Sequence, residues 1–151
     1  MPNTYTQIYI QIVFAVNDRM SLISPAWKER LHRYISGIVT MQGHKLIAIN
    51  STRDHIHILA GLKPHVAPSD LVRDIKRNST IFVNENRLAA GKFAWQEGFG
   101  AFSYSHSQIS RVARYIEHQE EHHRRLSFAE EYKLMLKSFH IDYDERYVLD
   151  R

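Results

Sequence analysis

Hydrophobic and polar positions alternate from Thr4 to Val16. Ile8, Ile10, Ile12 and Phe14 fall on one side, and Gln7, Tyr9 and Gln11 on the other. A period of two is that of a half-buried strand, and the polar and aromatic second side predicts a sheet with one open face. From Ser24 the period becomes helical. Ser24 and Pro25 read as N-cap and first helical residue, Trp27, Leu31, Tyr34, Ile35 and Ile38 form the apolar stripe, and Gly43 closes the helix. Lys45 to Asn50 and His55 to Leu62 read as strands joined through a turn at Ser51 to Asp54, which makes a hairpin. Pro64 and Pro68 punctuate the exit. A second helix starts at Pro68 or Ser69 and runs to about Leu88, with Leu71, Ile75 and Phe82 on its apolar side.

Gly91 to Ser105 reads as extended, with Gly98 and Gly100 marking a bulge or a close backbone approach. Ser107 is expected to cap a third helix through about Arg124, with Ile109, Val112, Ala113 and Ile116 facing inward. Ser127-x-x-Glu130 has the form of a capping box and starts a fourth helix to about Phe139. The stretch from His140 to Arg151 is acidic and aromatic without a clear period. The order strand, helix, strand, strand, helix, strand, then helices is that of an α+β, ferredoxin-like split βαβ with an antiparallel sheet. It predicts helices on one sheet face, leaves the other for function, and adds C-terminal helices. A chain of 151 residues fits one domain, with a core over about 4–125 and a helical extension over about 127–151.

Composition narrows the chemistry. Apolar content of 44% and charged content of 24% are ordinary for a globular protein. Without cysteine, disulfides, thiolate zinc sites and cysteine nucleophiles are excluded. No signal peptide is expected, because the first apolar run lacks a preceding basic region and is interrupted by Gln11. No apolar stretch is long enough to span a membrane. A formal charge of +4 favours an anionic partner only mildly.

The candidate chemistry begins at Asp54-His55-Ile56-His57. Side chains two apart on a strand share a face, so His55 and His57 point one way and Ile56 and Ile58 the other. Two imidazoles so held form a rigid pair of nitrogen ligands for a divalent metal. The third helix carries Tyr115 and, one turn on, Gln119. A tyrosine hydroxyl can attack a phosphodiester, and a carboxamide oxygen can be a third ligand, which leaves positions open for water and a phosphate oxygen. His118 and His122 form a second i, i+4 pair without an evident third ligand. Arg53, Arg73, Lys76, Arg77, Arg111 and Arg114 are candidate phosphate contacts. Trp95, Phe99 and Phe102 are candidates for base stacking or for the core.

Asp54-His55-Ile56-His57 resembles the His-hydrophobe-His signature of HUH endonucleases. Tyr115-Ile116-Glu117-His118-Gln119 resembles the tyrosine helix of their single-tyrosine, insertion-sequence 200-like transposases. Trp95-Gln96-Glu97-Gly98-Phe99-Gly100-Ala101-Phe102-Ser103 resembles the segment before that helix. The resemblance implies Tyr115 as nucleophile, His55, His57 and Gln119 as ligands of Mg²⁺ or Mn²⁺, and single-stranded DNA with a hairpin as substrate, which makes Arg53, Arg73, Lys76, Arg77, Arg111 and Arg114 candidate DNA contacts. It also implies a 5′-phosphotyrosine intermediate, a homodimer, no small-molecule cofactor, no membrane, and the cytoplasm of a bacterium or archaeon. Tyr115 could serve the histidines of its own chain or those of a partner. Three other readings stand beside this one: a replication-initiator-like nickase, a domesticated or repeat-associated hairpin-binding protein, and a metal-dependent hydrolase that uses water.

Overall fold

A computed structural model describes residues 3–123 and 125–148. Four antiparallel strands, β1 (Tyr9–Ala15), β2 (Lys45–Ser51), β3 (His55–Gly61) and β4 (Gly100–Tyr104), lie in the order β2-β3-β1-β4. Six helices accompany them among the described residues: α1 (Lys28–Met41), α2 (Pro68–Glu85), α3 (Ile109–Glu117), α4 (Gln119–His122), α5 (Phe128–Ser138) and α6 (Glu145–Val148). The ferredoxin-like α+β order read from the sequence is the order found. None of these helices is long and apolar enough to cross a membrane.

The first sheet face is the main core. Ile10, Ile12 and Phe14 of β1 and Ile56 and Ile58 of β3 meet Leu31, Ile35 and Val39 of α1 and Leu71, Val72, Ile75 and Val83 of α2. The other face differs from expectation, because it is not open. Val13, Ala15 and Phe102 are covered by Phe128 and Leu136 of α5, while Ala48 and Leu59 are covered by Ile116 of α3. The reason lies in β1. From Ile12 to Val16 every residue is apolar, which is the pattern of a strand buried on both faces rather than one. The polar alternation stops at Gln11, and the extension is what covers the apolar remainder.

Element ends shift in instructive ways. The first helix starts at Lys28. Ser24 spends its hydroxyl on Ala26 N (3.2 Å) and its carbonyl on Lys28 N (3.0 Å), so it closes a turn before the helix. The third helix is capped by Ser105, not Ser107, through a reciprocal box with Gln108. It also breaks at His118 into α3 and α4 instead of running unbroken toward Arg124, which itself lies outside the described residues. The expected fourth helix and its Ser127–Glu130 box are present. Trp95 and Phe102 are core residues, while Phe99 is exposed. Gly100 is the close approach its neighbourhood suggested: a Cβ there would come within 2.8 Å of Phe102 and Tyr132.

His32 sets an acid limit on this fold. It is buried on α1, 2.7 Å from Ser51 Oγ, and burial lowers its pKa from 6.5 to about 4. Between those values the unfolded chain binds a proton that the folded chain refuses. The stability from this group is therefore complete above pH ~6.5 and falls by about 3 kcal/mol as the pH drops through 4. Urea midpoints measured across that range should fall with pH, and a His32→Gln variant should show a shallower fall.

Candidate active site

The site is assembled from β1, β3, α3, α4 and α5. His55 and His57 leave β3 on the second face, both fully buried, with ring centroids 5.1 Å apart. Their far nitrogens are fixed from behind. His55 Nδ1 lies 2.7 Å from Asp54 Oδ1 and 2.8 Å from Thr52 Oγ1. A carboxylate there holds the proton on Nδ1 and turns Nε2 toward the site, as second-shell carboxylates do for metal-bound histidines. His57 Nδ1 is met by Gln11 Nε2 at 2.8 Å, and Gln11 Oε1 accepts from the Tyr104 hydroxyl at 2.8 Å.

Both imidazoles converge on Glu131 of α5, a residue the sequence reading passed over. Its Oε1 lies 3.0 Å from His57 Nε2, 3.4 Å from His55 Nε2 and 3.0 Å from His123 Nε2. Its Oε2 accepts from the Tyr115 hydroxyl and from Gln119 Nε2 (3.1 Å). Gln119 Oε1 is 3.1 Å from His55 Nε2. The expected set of Tyr115, His55, His57 and Gln119 is thus brought together within one chain. Glu131 and His123 are additions.

A signal for Glu131 existed. It lies three residues after Phe128 and four or five before Met135 and Leu136. That is a lone carboxylate on the apolar stripe of a confidently capped helix.

Charge follows from this packing. Burial opposes ionisation of Glu131, but hydrogen bonds from His123, His55 and His57 outweigh it and hold the carboxyl well below its usual range. Burial likewise opposes a charged His55, yet the bonds to Asp54 and Glu131 raise it. Burial prevails at His57 and lowers it, so His57 is the neutral ring of the pair. Tyr115 is pushed well above the usual phenol range, by burial and then by its bond to Glu131.

Among the described residues, His55, His57 and Glu131 form a group whose ligand atoms lie within 4.8 Å of one another. Two imidazole nitrogens and a carboxylate oxygen suit a divalent transition metal or Mn²⁺, and the Asp54 and Gln11 contacts behind the rings are those such a site needs. A Gln11→Leu substitution should therefore weaken Mn²⁺ binding by about 10–100-fold in calorimetric titration.

The other candidates separate. A groove of about 400 Å³ opens beside the site, lined by Tyr104, Arg111, Tyr115, Leu126, Glu131 and Phe139. Arg111 is on its rim and Arg114 is exposed on the same helix; Arg53 is exposed in the turn before His55. Arg73, Lys76 and Arg77 belong to α2 on the opposite sheet face and are not brought to the site. Arg73 pairs with Asp70 and Asp74. Lys76, lowered to about 8 by burial, donates to Gln96 O (2.8 Å) and Gly98 O (2.6 Å). His118 and His122 are not a ligand pair: His118 Nδ1 donates to the Arg114 carbonyl at 2.7 Å, and His122 stacks on Tyr115 at 4.5 Å.

A family model described as IS200-like transposase matches residues 4–119. Two solved structures share the fold. One is a candidate transposase from Deinococcus radiodurans R1, with a TM-score of 0.58 and 19% identity, covering 78% of this chain and 94% of that one. The other is a REP-associated tyrosine transposase bound to a REP hairpin, with a TM-score of 0.60 and 17% identity, covering 80% of this chain and 72% of that one. No curated protein sequence matches.

Proposed function

The chain belongs to the IS200-like transposase family, and from that premise we propose that it cuts and rejoins single-stranded DNA through a covalent tyrosine intermediate. Tyr115 is the nucleophile, and His55, His57 and Glu131 would hold a divalent cation, with Gln119 beside them. The observation that carries this reading is the shared carboxylate. One oxygen of Glu131 faces the imidazoles and the other receives the Tyr115 hydroxyl, so nucleophile and ligand set meet at a single buried point.

At neutral pH Tyr115 is a phenol, because burial and the Glu131 charge both disfavour the phenolate. Its hydroxyl donates to Glu131 Oε2, which orients it; the proton leaves Tyr115 as the bond to phosphorus forms and is balanced by the one taken up at the 3′ oxygen. Tyr115 Oη attacks phosphorus, the bond from phosphorus to the 3′ oxygen breaks, and that oxygen leaves as a 3′-hydroxyl once protonated. The DNA 5′ end is then a phosphotyrosine ester. Attack by another 3′-hydroxyl reverses these changes, releases Tyr115 and joins the new ends without a nucleotide cofactor. A bound divalent cation supplies charge that offsets the negative charge building on the phosphate oxygens. Arg111 on the groove rim is placed to meet the DNA backbone, and Tyr104 and Phe139 offer ring faces to unpaired bases. Recognition of a hairpin is supported by the structural relative that is bound to one.

The test is direct. The protein is mixed with Mn²⁺ and labelled single-stranded hairpin DNA from the flanks of its own locus, then resolved under denaturing conditions. A covalent adduct is expected. Tight hairpin binding with neither adduct nor cleavage would reassign the chain as a binding module. Cleavage without an adduct would make it a hydrolase.

A further inference from the structure

A different face of α5 borders a second cavity, of about 240 Å³, enclosed by β1, the 96–99 loop, α5 and residues 141–144. Strand alternation aims Gln96 into it. Val16 bridges Trp95, and Trp95 packs edge-on against Phe14 in the main core. The next side chain, Gln96, therefore points to the opposite face. Its backbone is fastened: N donates to Ala15 O at 2.8 Å, and O accepts from Lys76 Nζ at 2.8 Å. Its carboxamide is not. Gln96 is only 6% exposed, yet its Oε1 is buried without a hydrogen-bond partner among the described residues. A buried acceptor in that state calls for a donor that belongs there.

The surroundings specify the donor's charge. The chain has 20 basic and 16 acidic residues, but among the described residues no lysine or arginine lines this cavity. Its charged lining is Glu97, Asp142 and Asp144. Asp144 holds Arg146 at 2.8 Å and Glu97 feels the charge of Lys76 without a direct ion pair, while among the described residues Asp142 forms no ion pair. Phe128 and Tyr132, stacked at 5.4 Å, form one wall. Ring faces attract cations, ionised carboxylates make the strongest bonds to cationic N–H donors, and a DNA phosphate would be repelled.

We propose that this cavity binds an organic cation: a guanidinium or primary ammonium group on an aliphatic stem. An N–H of the cation is donated to Gln96 Oε1, and its charge is matched by Glu97 and Asp142. Free polyamines and the arginine or lysine side chain of a polypeptide share this chemistry.

Spermidine and, separately, N-acetyl-arginine amide are titrated into the full chain at constant ionic strength. The Gln96 side-chain amide is followed by ¹H–¹⁵N spectroscopy and the melting temperature is recorded in parallel. A saturable shift of that resonance and a rising melting temperature are expected; Asp142→Asn weakens binding by both readouts about tenfold, and Gln96→Leu, which lacks the reporting amide, weakens it about tenfold by melting temperature. Asp142 is exposed, so its variant keeps the proposal testable if Gln96→Leu folds poorly. Tighter spermidine binding identifies a polyamine site, and tighter arginine-amide binding a peptide site; either supports the proposal. No shift with either probe, an unsaturable response equal in Asp142→Asn, or an equal response to uncharged adenosine would overturn it. No DNA cleavage enters the measurement, so its failure is distinct from failure of the tyrosine reading.

Discussion

A Tyr115→Phe variant should form no covalent adduct with hairpin DNA, with cleavage reduced by at least about 10³-fold, while hairpin affinity stays within about twofold. The contrast follows from what phenylalanine keeps. Its ring can still stack on His122 at 4.5 Å and still forms part of the groove wall. Only the hydroxyl is lost. Glu131 Oε2 then retains Gln119 Nε2 at 3.1 Å as a donor, so the cost to stability should not exceed about 1–3 kcal/mol, visible as a modest fall in melting temperature. Denaturing electrophoresis gives the main result. An adduct surviving in this variant would move the nucleophile elsewhere. Tyr104 lines the same groove, but its hydroxyl donates to Gln11 Oε1 at 2.8 Å, whereas that of Tyr115 meets the carboxylate that faces both histidines.

Glu131→Ala should weaken Mn²⁺ binding by at least about 100-fold in calorimetric titration, with cleavage falling alongside, whereas Gln119→Ala should lower affinity by about tenfold or less. The difference is one of charge. Glu131 is an ionised, buried carboxylate directed at both imidazoles, whereas Gln119 is a neutral amide whose oxygen meets His55 and whose nitrogen donates to Glu131. The same pair of variants separates two ligand sets. If affinity collapses in Gln119→Ala and survives in Glu131→Ala, the ligands are His55, His57 and Gln119, and Glu131 serves only to hold the nucleophile. Circular dichroism of both variants guards against a folding defect, which α5 makes a real concern because Phe128 and Leu136 cover the second sheet face.

The sequence carried the fold because its periods are strong where packing is simple. α1 and α2 each have one apolar stripe, and both lie against Ile10, Ile12, Ile56 and Ile58 as expected. It carried the histidine pair because strand alternation fixes which face two residues share. It did not carry the roof over that pair. The apolar run from Ile12 to Val16 announced a second buried face, but the Gln7, Tyr9 and Gln11 alternation before it pointed to solvent, and the earlier residues lie mostly outside the strand. Glu131 was hidden for a related reason. A carboxylate on an apolar stripe is informative only when its partners are known, and those partners are 74 and 76 residues back along the chain. The break at His118 had no local signal, since residues 109–122 contain no glycine or proline.

That break gives Tyr115 and Gln119 separate helical supports. The carbonyls it frees at Ile116 and Glu117 are taken by Asn50 Nδ2, at 2.9 and 3.1 Å, and Asn50 is the cross-strand neighbour of His57. Tyr115 therefore stands on a short helix whose end is pinned to the sheet beside the histidines, while Gln119 and His123 belong to a separate stub. The two supports stay coupled at Glu131, whose Oε2 accepts from both the Tyr115 hydroxyl and Gln119 Nε2, so a substitution that moves either stub is felt at the same carboxylate.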